Sequence, residues 1–493
     1  MASQGAEAAF RSLPNNTNKY WWKDSGLRKI VMYNFGCMLC PFYLGYDQSL
    51  LTGLQSLPEW NKFFDNPSAA WICSAWGRKW CVLIGASLIV VGGVWKGLST
   101  STSQFMGARI VMGAGGGMTK VAAPALLHES AHPRLRPPMG HMYYGFYHLG
   151  SLISSIMCIV GLYIEGEWSW RLPCLLIIVG PTSVILLLAM GPESPRFHVS
   201  KGQNQKALAT LAKYHANGAL DDPLVNWEYQ EIQIALEEEI LNRKSSYLDF
   251  FRTQGNRKRL AVSLAIAFII NWAGNGIVSY YLTPALKMIG IYEPVRLVSI
   301  NAGLSAWNLI ISEISGLNID KFGRRTLFLV STTGMMLSYC VVMGLSAGFA
   351  KTNEAAMGVA AIPFLFIFYG FYDMAWTPLN YCYCVEIMPF NLRAKGTAIH
   401  LTAQSLANAF NQFANPLALA AISWRYYAVY IAIDFCYIII IYLWFPETRN
   451  LTIEEVSLVF DYGVKHGGKR AVAAMAARMR SLEEGPVNKL TKK

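Results

Sequence analysis

Two ionisable residues lie where water is scarce: Asp47 falls in the first long apolar run, and Arg109 near the start of a later one. Holding an ionised side chain mid-membrane costs at least ~2.5–3.5 kcal/mol on insertion scales. Burying one acid and one base makes sense if the two pair. Gly113, Gly115, Gly116 and Gly117 follow the arginine, and small residues let helix backbones approach closely enough to bring it to its partner. Such a pair is either a working charge site or a static tie between two helices. Lys120 and Glu313 are further charges within apolar runs, costly unless neighbours pair with them.

A second constellation occurs twice. Gly77-Arg78-Lys79 returns within Asp320-Lys321-Phe322-Gly323-Arg324-Arg325. Glu129, Arg134 and Arg136 return as Glu386, Arg393 and Lys395, and Pro192-Glu193-Ser194-Pro195-Arg196 returns as Pro446-Glu447-Thr448-Arg449. Each set lies at the edges of apolar runs. Repeated charged turns between apolar helices are how two-halved secondary transporters are built. Charges at helix ends also complement the helix dipole, which alone accounts for any one of them.

The elements that must position these residues are long apolar helices. The chain is 53% hydrophobic and only 15% charged, with a mean hydropathy of +0.29, whereas a soluble protein carries about a quarter of its residues as charges. Apolar runs fall near 28–54, 80–98, 105–127, 141–164, 171–190, 260–289, 296–318, 326–349, 357–384, 396–421 and 425–445. Runs of about 20 residues cross the hydrocarbon core as helices. The expected fold is an all-α polytopic membrane protein.

The net charge of +12 has a membrane explanation, and no nucleic-acid partner is expected. Lys and Arg cluster in alternate loops, and short basic loops stay on the cytoplasmic side, so both termini read as cytosolic. Residues 1–27 are polar and read as a tail with no secretory signal. An amino-terminal bundle is expected over 28–196 and a cytosolic linker over 197–258. A carboxy-terminal bundle over 259–450 and a cytosolic tail over 451–493 complete the domain plan. Apolar residues recur at near-helical spacing in Ala207–Tyr214 and Tyr229–Leu241, predicting short amphipathic helices in the linker. Basic residues of the tail suit anionic lipid headgroups. The ten cysteines mostly sit inside apolar runs and show neither a disulfide framework nor zinc spacing. His128, His132, His141 and His148 lie near span ends, where solvation or capping is expected rather than metal binding. No cofactor, catalytic residue or phosphate-cradling loop is read from the chain, so it is not expected to be an enzyme.

The signatures Asp-Lys-x-Gly-Arg-Arg, Pro-Glu-Ser-Pro-Arg after the sixth span and Pro-Glu-Thr-Arg after the last resemble the sugar porter family of the major facilitator superfamily. The likeness covers about residues 28–460. Gly45–Gln55 and Trp272–Leu282 look most like the fungal lactose permease and cellodextrin branch. The resemblance implies two pseudo-symmetric bundles, twelve spans, alternating access and a small-molecule sugar as cargo, with a monomer as the working unit. In porters of this family that run on protons, an acid and an arginine at the positions of Asp47 and Arg109 form the proton site. The resemblance also implies a sugar site. Asn271, Asn275, Tyr280 and Tyr281 come from the seventh-span candidate, Asn308 from the eighth, and Gln404 and Asn408 from the eleventh. Asp373 stands for a family glutamate, Tyr381 for a tryptophan often stacked on the sugar, and Ser151 for a fifth-span glutamine. Where the family shows two glutamines, this chain has Ile270 and Asn271. Each of these polar groups serves equally as a helix-packing contact. Arg78, Glu129, Glu193, Arg324, Glu386, Arg393 and Glu447 resemble the family's inner salt-bridge network, which keeps the cytosolic side closed in the outward-facing state.

One departure stands out. After Leu54 the chain reads as a polar loop through Pro67, and only Ser68–Trp76 remains before Gly77. Nine helical residues reach about 13.5 Å, less than half of the ~30 Å core. The family's second span therefore looks deleted, leaving about eleven, either through a skipped exon or because the chain is an inactive paralogue. The acid that normally precedes the glycine–arginine pair is replaced by Ala75 or Trp76. The expected function is plasma-membrane symport of a proton with a disaccharide, such as lactose or cellobiose, or a hexose. A uniporter, an exporter of a small secondary metabolite and a non-transporting sensor are the rivals.

Overall fold

A computed structural model of the chain describes residues 17–18, 20–54, 77–242, 246–280, 293–318, 321–352, 354–389 and 392–449, with 282, 286, 291, 456, 459 and 460. Among these the regular structure is helical throughout. In hydrocarbon every backbone N–H and C=O must be satisfied within its own segment, and a helix does this for long apolar runs. The first half holds α1 (Ser25–Leu54), α2 (Arg78–Gly97), α3 (Thr102–Ser130), α4 (Arg136–Leu162), α5 (Trp168–Leu176) and α6 (Val179–Met190). Four shorter helices follow: α7 (Pro195–Ser200), α8 (Asn204–His215), α9 (Pro223–Asn242) and α10 (Asp249–Arg252). The second half holds α11 (Gln254–Trp272), α12 (Asn275–Tyr280), α13 (Pro294–Asn318), α14 (Arg324–Thr352), α15 (Ala355–Ile387), α16 (Arg393–Ile422) and α17 (Tyr426–Trp444).

Nine stretches of the described residues are long and apolar enough to cross a membrane. The last of them, Lys395–Trp444, holds two helices, and α1, with 30 residues, adds another of membrane length. That makes eleven among the described residues, matching the apolar runs of the sequence. The position of the family's second span, with Ala75 and Trp76, lies outside them.

Local chemistry sets the helix ends. Ser101 caps α3 by accepting from the Gln104 amide, and Thr253 caps α11 by accepting from Asn256. Ser194 accepts from Phe197, with Pro195 opening α7, a position where the missing N–H costs nothing. The run expected over 260–289 is interrupted between α11 and α12. There Gly274 takes φ +93°, a backbone region open to glycine, and Tyr339 Oη donates to its carbonyl at 2.7 Å.

The chain divides into two compact units. One comprises Ala2–Leu241 and Ser279–Glu313, the other Asn242–Val278 and Ile314–Lys493. The first is packed around Cys37, Met38, Tyr43, Tyr46, Ile89 and Met118. Small residues set its helix spacing. A Cβ on Gly115 would lie 2.5 Å from the Gly85 carbonyl oxygen, and one on Gly85 would lie 2.8 Å from that of Gly115. The α2 and α3 backbones thus touch at this crossing. The second unit is built on aromatic rings, with Phe328 against Trp376 at 4.6 Å between centroids and Tyr339 stacked on Phe368 at 4.2 Å.

Candidate functional site

Asp47, on α1, is held by two cations. Lys96 Nζ lies 2.5 Å from its Oδ1, and Arg109 Nη2 lies 3.9 Å from its Oδ2. Lys96 is the last-turn residue of α2 and is fully buried, whereas the Arg109 side chain is 28% exposed. The ammonium also sits 5.6 Å from the Phe105 ring centroid, a favourable place for a desolvated cation. The glycines after Arg109 divide their work: Gly115 faces α2, Gly116 faces Leu44 of α1, and Gly117 meets nothing within 4 Å. Lys96 is the residue that sequence reasoning passed over. Its place at the end of an apolar run is where lysines usually reach out to the interface, so nothing local marked it as buried.

The candidate sugar-binding amides fall into separate networks. In the second unit, the Asn271 amide donates to the Ala267 carbonyl at 2.9 Å and to that of Gln404 at 3.2 Å, which ties α11 to α16. Tyr381 Oη donates to Gln404 Oε1 at 3.2 Å. Asn275 opens α12 just after the Gly274 break. Its amide donates to Tyr372 Oη at 3.0 Å, while its Oδ1 is buried with no hydrogen-bond partner among the described residues. A buried acceptor left without a donor costs about 1–3 kcal/mol, so this oxygen is available for a hydroxyl of a bound molecule. Tyr369 Oη donates to the Asn275 carbonyl. Asp373 is buried and accepts from Thr377 Oγ1 one turn along α15. Asn408 is half-buried on α16.

In the first unit, Ser151 lies 3.2 Å from Ser305 Oγ of α13. Ser155 joins Ser49, Ser305 and Asn301 at 2.9, 3.2 and 3.1 Å. Asn308 is half-buried on α13. Tyr280 closes α12, and Tyr281 lies outside the described residues. Sequence reasoning missed Ser155, Asn301, Tyr369 and Tyr372. It also missed a second amide–phenol group in which Tyr430 Oη donates to Asn415 Oδ1 at 2.6 Å and to Asn411 Oδ1 at 3.2 Å. Asn411 in turn donates to the Asn271 carbonyl at 2.7 Å. Helical spacing in α16 and α17 aligns these residues, but only the fold shows that they meet.

The repeated charged turns build the same structure twice, once in each unit. Arg78 Nε lies 3.2 Å from Glu129 Oε2, and Arg324 Nη2 lies 3.3 Å from Glu386 Oε1. The Glu193 carboxylate accepts from the Lys79 amide at 3.1 Å, at the start of α2. That of Glu447 accepts from the Arg324 and Arg325 amides at 2.8 and 3.2 Å, at the start of α14. Ser194 donates to Glu129 as Thr448 donates to Glu386. Gly77 and Gly323 leave room for these carboxylates, since a Cβ on either would overlap the facing glutamate. A carboxylate over the orphan amides of a helix start is favourable twice, through hydrogen bonds and through the dipole. Arg393, half-buried, opens α16.

The linker helices dock through histidine. His215 of α8 has Nδ1 2.6 Å from Glu228 Oε2 of α9 and Nε2 3.1 Å from the Ser130 carbonyl at the end of α3. Ser130 Oγ donates to Asn34 Oδ1 of α1. Of the solvation or capping expected for the span-end histidines, solvation does not hold for His132 and His148, both buried. His132 packs edge-on to His215 at 5.2 Å and accepts from the Arg134 amide. Burial above all, and then the nearby His215, Arg134 and Arg136, push its imidazole down to about 2. No group of metal ligands is assembled among the described residues, and Cys384 lies beside Ser263 at 3.1 Å.

Comparison with known proteins points one way. The family described as Sugar (and other) transporter matches residues 34–460. The MFS-type transporter criB of Aspergillus cristatus is 25% identical over 416 residues, covering 84% of this chain and 85% of the relative. The high-affinity fructose transporter ght6 of Schizosaccharomyces pombe is 27% identical over 405 residues, covering 79% and 73%. A structure of the major facilitator superfamily proton:xylose symporter XylE has a TM-score of 0.68 at 20% identity, covering 88% of this chain and 99% of that one. XylE comes from E. coli. The likeness to it is one of fold, and the fold is that of the major facilitator superfamily.

Proposed function

Because the chain belongs to the sugar (and other) transporter family, we propose that it carries a sugar across the plasma membrane by alternating access, with a proton taken up at Asp47. The observation that carries this reading is the half-buried Asp47 carboxylate, 22% exposed, held between Arg109 and the fully buried Lys96. An intramembrane acid of this kind marks a proton or ion pathway by default. Protonation weakens its hold on the two cations, and the released tie biases the helices that bear them toward another arrangement. The sugar is met at the α11–α12 break, where half-helix ends and irregular backbone line transporter sites. There the Asn275 Oδ1 takes a sugar hydroxyl, with Asn271, Gln404, Tyr381 and Asn408 nearby in the chain's second half. Asp373 completes the assignment in that unit, and Ser151 and Asn308 are the candidates of the other unit.

The charged turns would face the cytosol, with both termini on that side, and Arg78, Glu129, Glu193, Arg324, Glu386, Arg393 and Glu447 would hold the inner side closed. The carrier works as a monomer, with disaccharides such as lactose or cellobiose, or a hexose, as cargo. Uptake of labelled lactose, cellobiose and glucose in a transporter-null host, with and without a protonophore, tests the proposal. Protonophore-sensitive uptake of one of them is expected. Protonophore-insensitive uptake means a uniporter, and no uptake of any of them refutes the sugar assignment. A second reading, export of a small metabolite, is favoured by the Asn271 amide being engaged by backbone carbonyls. Loss of Gln404 without effect on sugar uptake would support it.

A further inference from the structure

We propose that Lys96 is a coupling residue: it is the principal counter-cation of Asp47 and sets the pH at which that carboxylate takes the transported proton. The inference rests on the proton-coupled reading above and assigns a residue that reading does not require. Three observations converge. Lys96 Nζ is 2.5 Å from Asp47, against 3.9 Å for Arg109. The lysine has no exposure to solvent, so its charge is poorly screened. It sits on α2, while Arg109 sits on α3, and these two helices touch through Gly85 and Gly115.

The charge count makes the arrangement responsive. One carboxylate and two cations leave a single excess positive charge in a place where Lys96 is fully buried and Asp47 and Arg109 are half-buried. Neutralising Asp47 removes the only anion found there among the described residues and leaves two like charges on neighbouring helices, an arrangement that repels. Among the described residues, the other titratable side chains within electrostatic reach are Tyr46 on α1, Cys158 on α4 and Cys174 on α5. None of them supplies a cation that could replace Lys96. Arginine stays charged throughout, so proton uptake at Asp47 must work against Lys96 first and Arg109 second. A lysine that merely filled space would leave the proton affinity of the carboxylate unaltered.

The test compares the pH profile of sugar-coupled proton uptake in wild type, Lys96→Met and Asp47→Asn. An opposite charge within about 4–6 Å shifts a carboxylate by about 1–3 pH units. The profile of Lys96→Met should therefore move to higher pH by about that amount, while Asp47→Asn abolishes coupled uptake. A Lys96→Met profile superimposable on wild type overturns the role of Lys96 and leaves the coupling reading standing. Uphill uptake retained in Asp47→Asn overturns the coupling reading itself. Should Lys96→Met be transport-dead, difference infrared spectroscopy of the purified protein reads the same quantity. The protonated-carboxyl band lost in Asp47→Asn should titrate at higher pH in Lys96→Met, and an unmoved midpoint refutes the inference.

Discussion

Replacing Gly115 by alanine should destabilise the protein, while the same replacement at Gly117, two residues along the same helix, should not. A Cβ at 115 would lie 2.5 Å from the Gly85 carbonyl oxygen, 2.9 Å from Ile89 Cγ1 and 3.0 Å from Leu88 Cβ, whereas at 117 it would meet nothing within 4 Å. Ordinary C–H···O contacts need about 3.3–3.6 Å, so α2 and α3 must part by roughly 1 Å. The opposing atom is backbone and cannot rotate away. Overpacking of this kind costs about 1–3 kcal/mol, set against a helix-propensity gain of about 0.8–1.0 kcal/mol from Gly to Ala. The net for Gly115→Ala is a loss of up to about 2 kcal/mol, about 1–3 kcal/mol below Gly117→Ala, read as a separation of roughly 1–3 degrees between the two melting temperatures. Gly117→Ala, which has only the propensity gain, should melt at or above the wild-type temperature. Thermal unfolding of the two variants in the same detergent decides it. Equal melting temperatures would refute the claim that direct backbone contact sets the α2–α3 spacing.

Three further outcomes are expected. Glu193→Gln and Glu447→Gln each remove the charge over a helix start, so each should lower stability by about 1–2 kcal/mol. The two losses should add, since the carboxylates share no partner; a loss in only one variant would contradict the equivalence of the two turns. His132, neutral and buried with its imidazole pushed down to about 2, favours the folded state fully above about pH 6.5, and that contribution fades as pH falls toward the folded value. Each pH unit lost in that window costs about 1.4 kcal/mol, so His132→Gln should flatten the acid limb of a melting-temperature profile. An unchanged limb would count against it. Asp434, at the middle of α17, is fully buried, and neither carboxylate oxygen has a hydrogen-bond partner among the described residues. A buried carboxyl with no partner for either oxygen costs about 1–3 kcal/mol in lost hydrogen bonding, and a neutral amide of the same shape is no worse placed, so Asp434→Asn should melt no lower than wild type. A clear fall would show that the acid has a partner.

The features most legible in the sequence were those set by physics acting along the chain. Apolar run length alone located the membrane helices. Helical spacing located the amphipathic pieces that became α8 and α9. The doubled charged turns were visible because Arg78 and Arg324, Glu129 and Glu386, and Glu193 and Glu447 recur at fixed places relative to the runs. What stayed hidden depends on contacts between distant segments. Lys96 looks like any lysine at a helix end until α1 brings Asp47 against it. The Gly274 break is unmarked because one glycine in an apolar run is commonplace, and the left-handed φ appears only with Tyr339 bonded to its carbonyl. Asn411, Asn415 and Tyr430 are spread over two helices and carry no motif, though their hydrogen bonds tie α16 to α17. His132 looked solvated because it follows the end of α3, and only the docking of α8 covers it.

The most direct measurement uses purified full-length protein in sealed vesicles with an imposed inward proton gradient. Wild type should concentrate a labelled sugar above its external level and then release it when a protonophore collapses the gradient. Asp47→Asn should exchange the sugar without concentrating it. Concentration by Asp47→Asn equal to wild type, or no sugar movement by wild type under any gradient, would contradict the account.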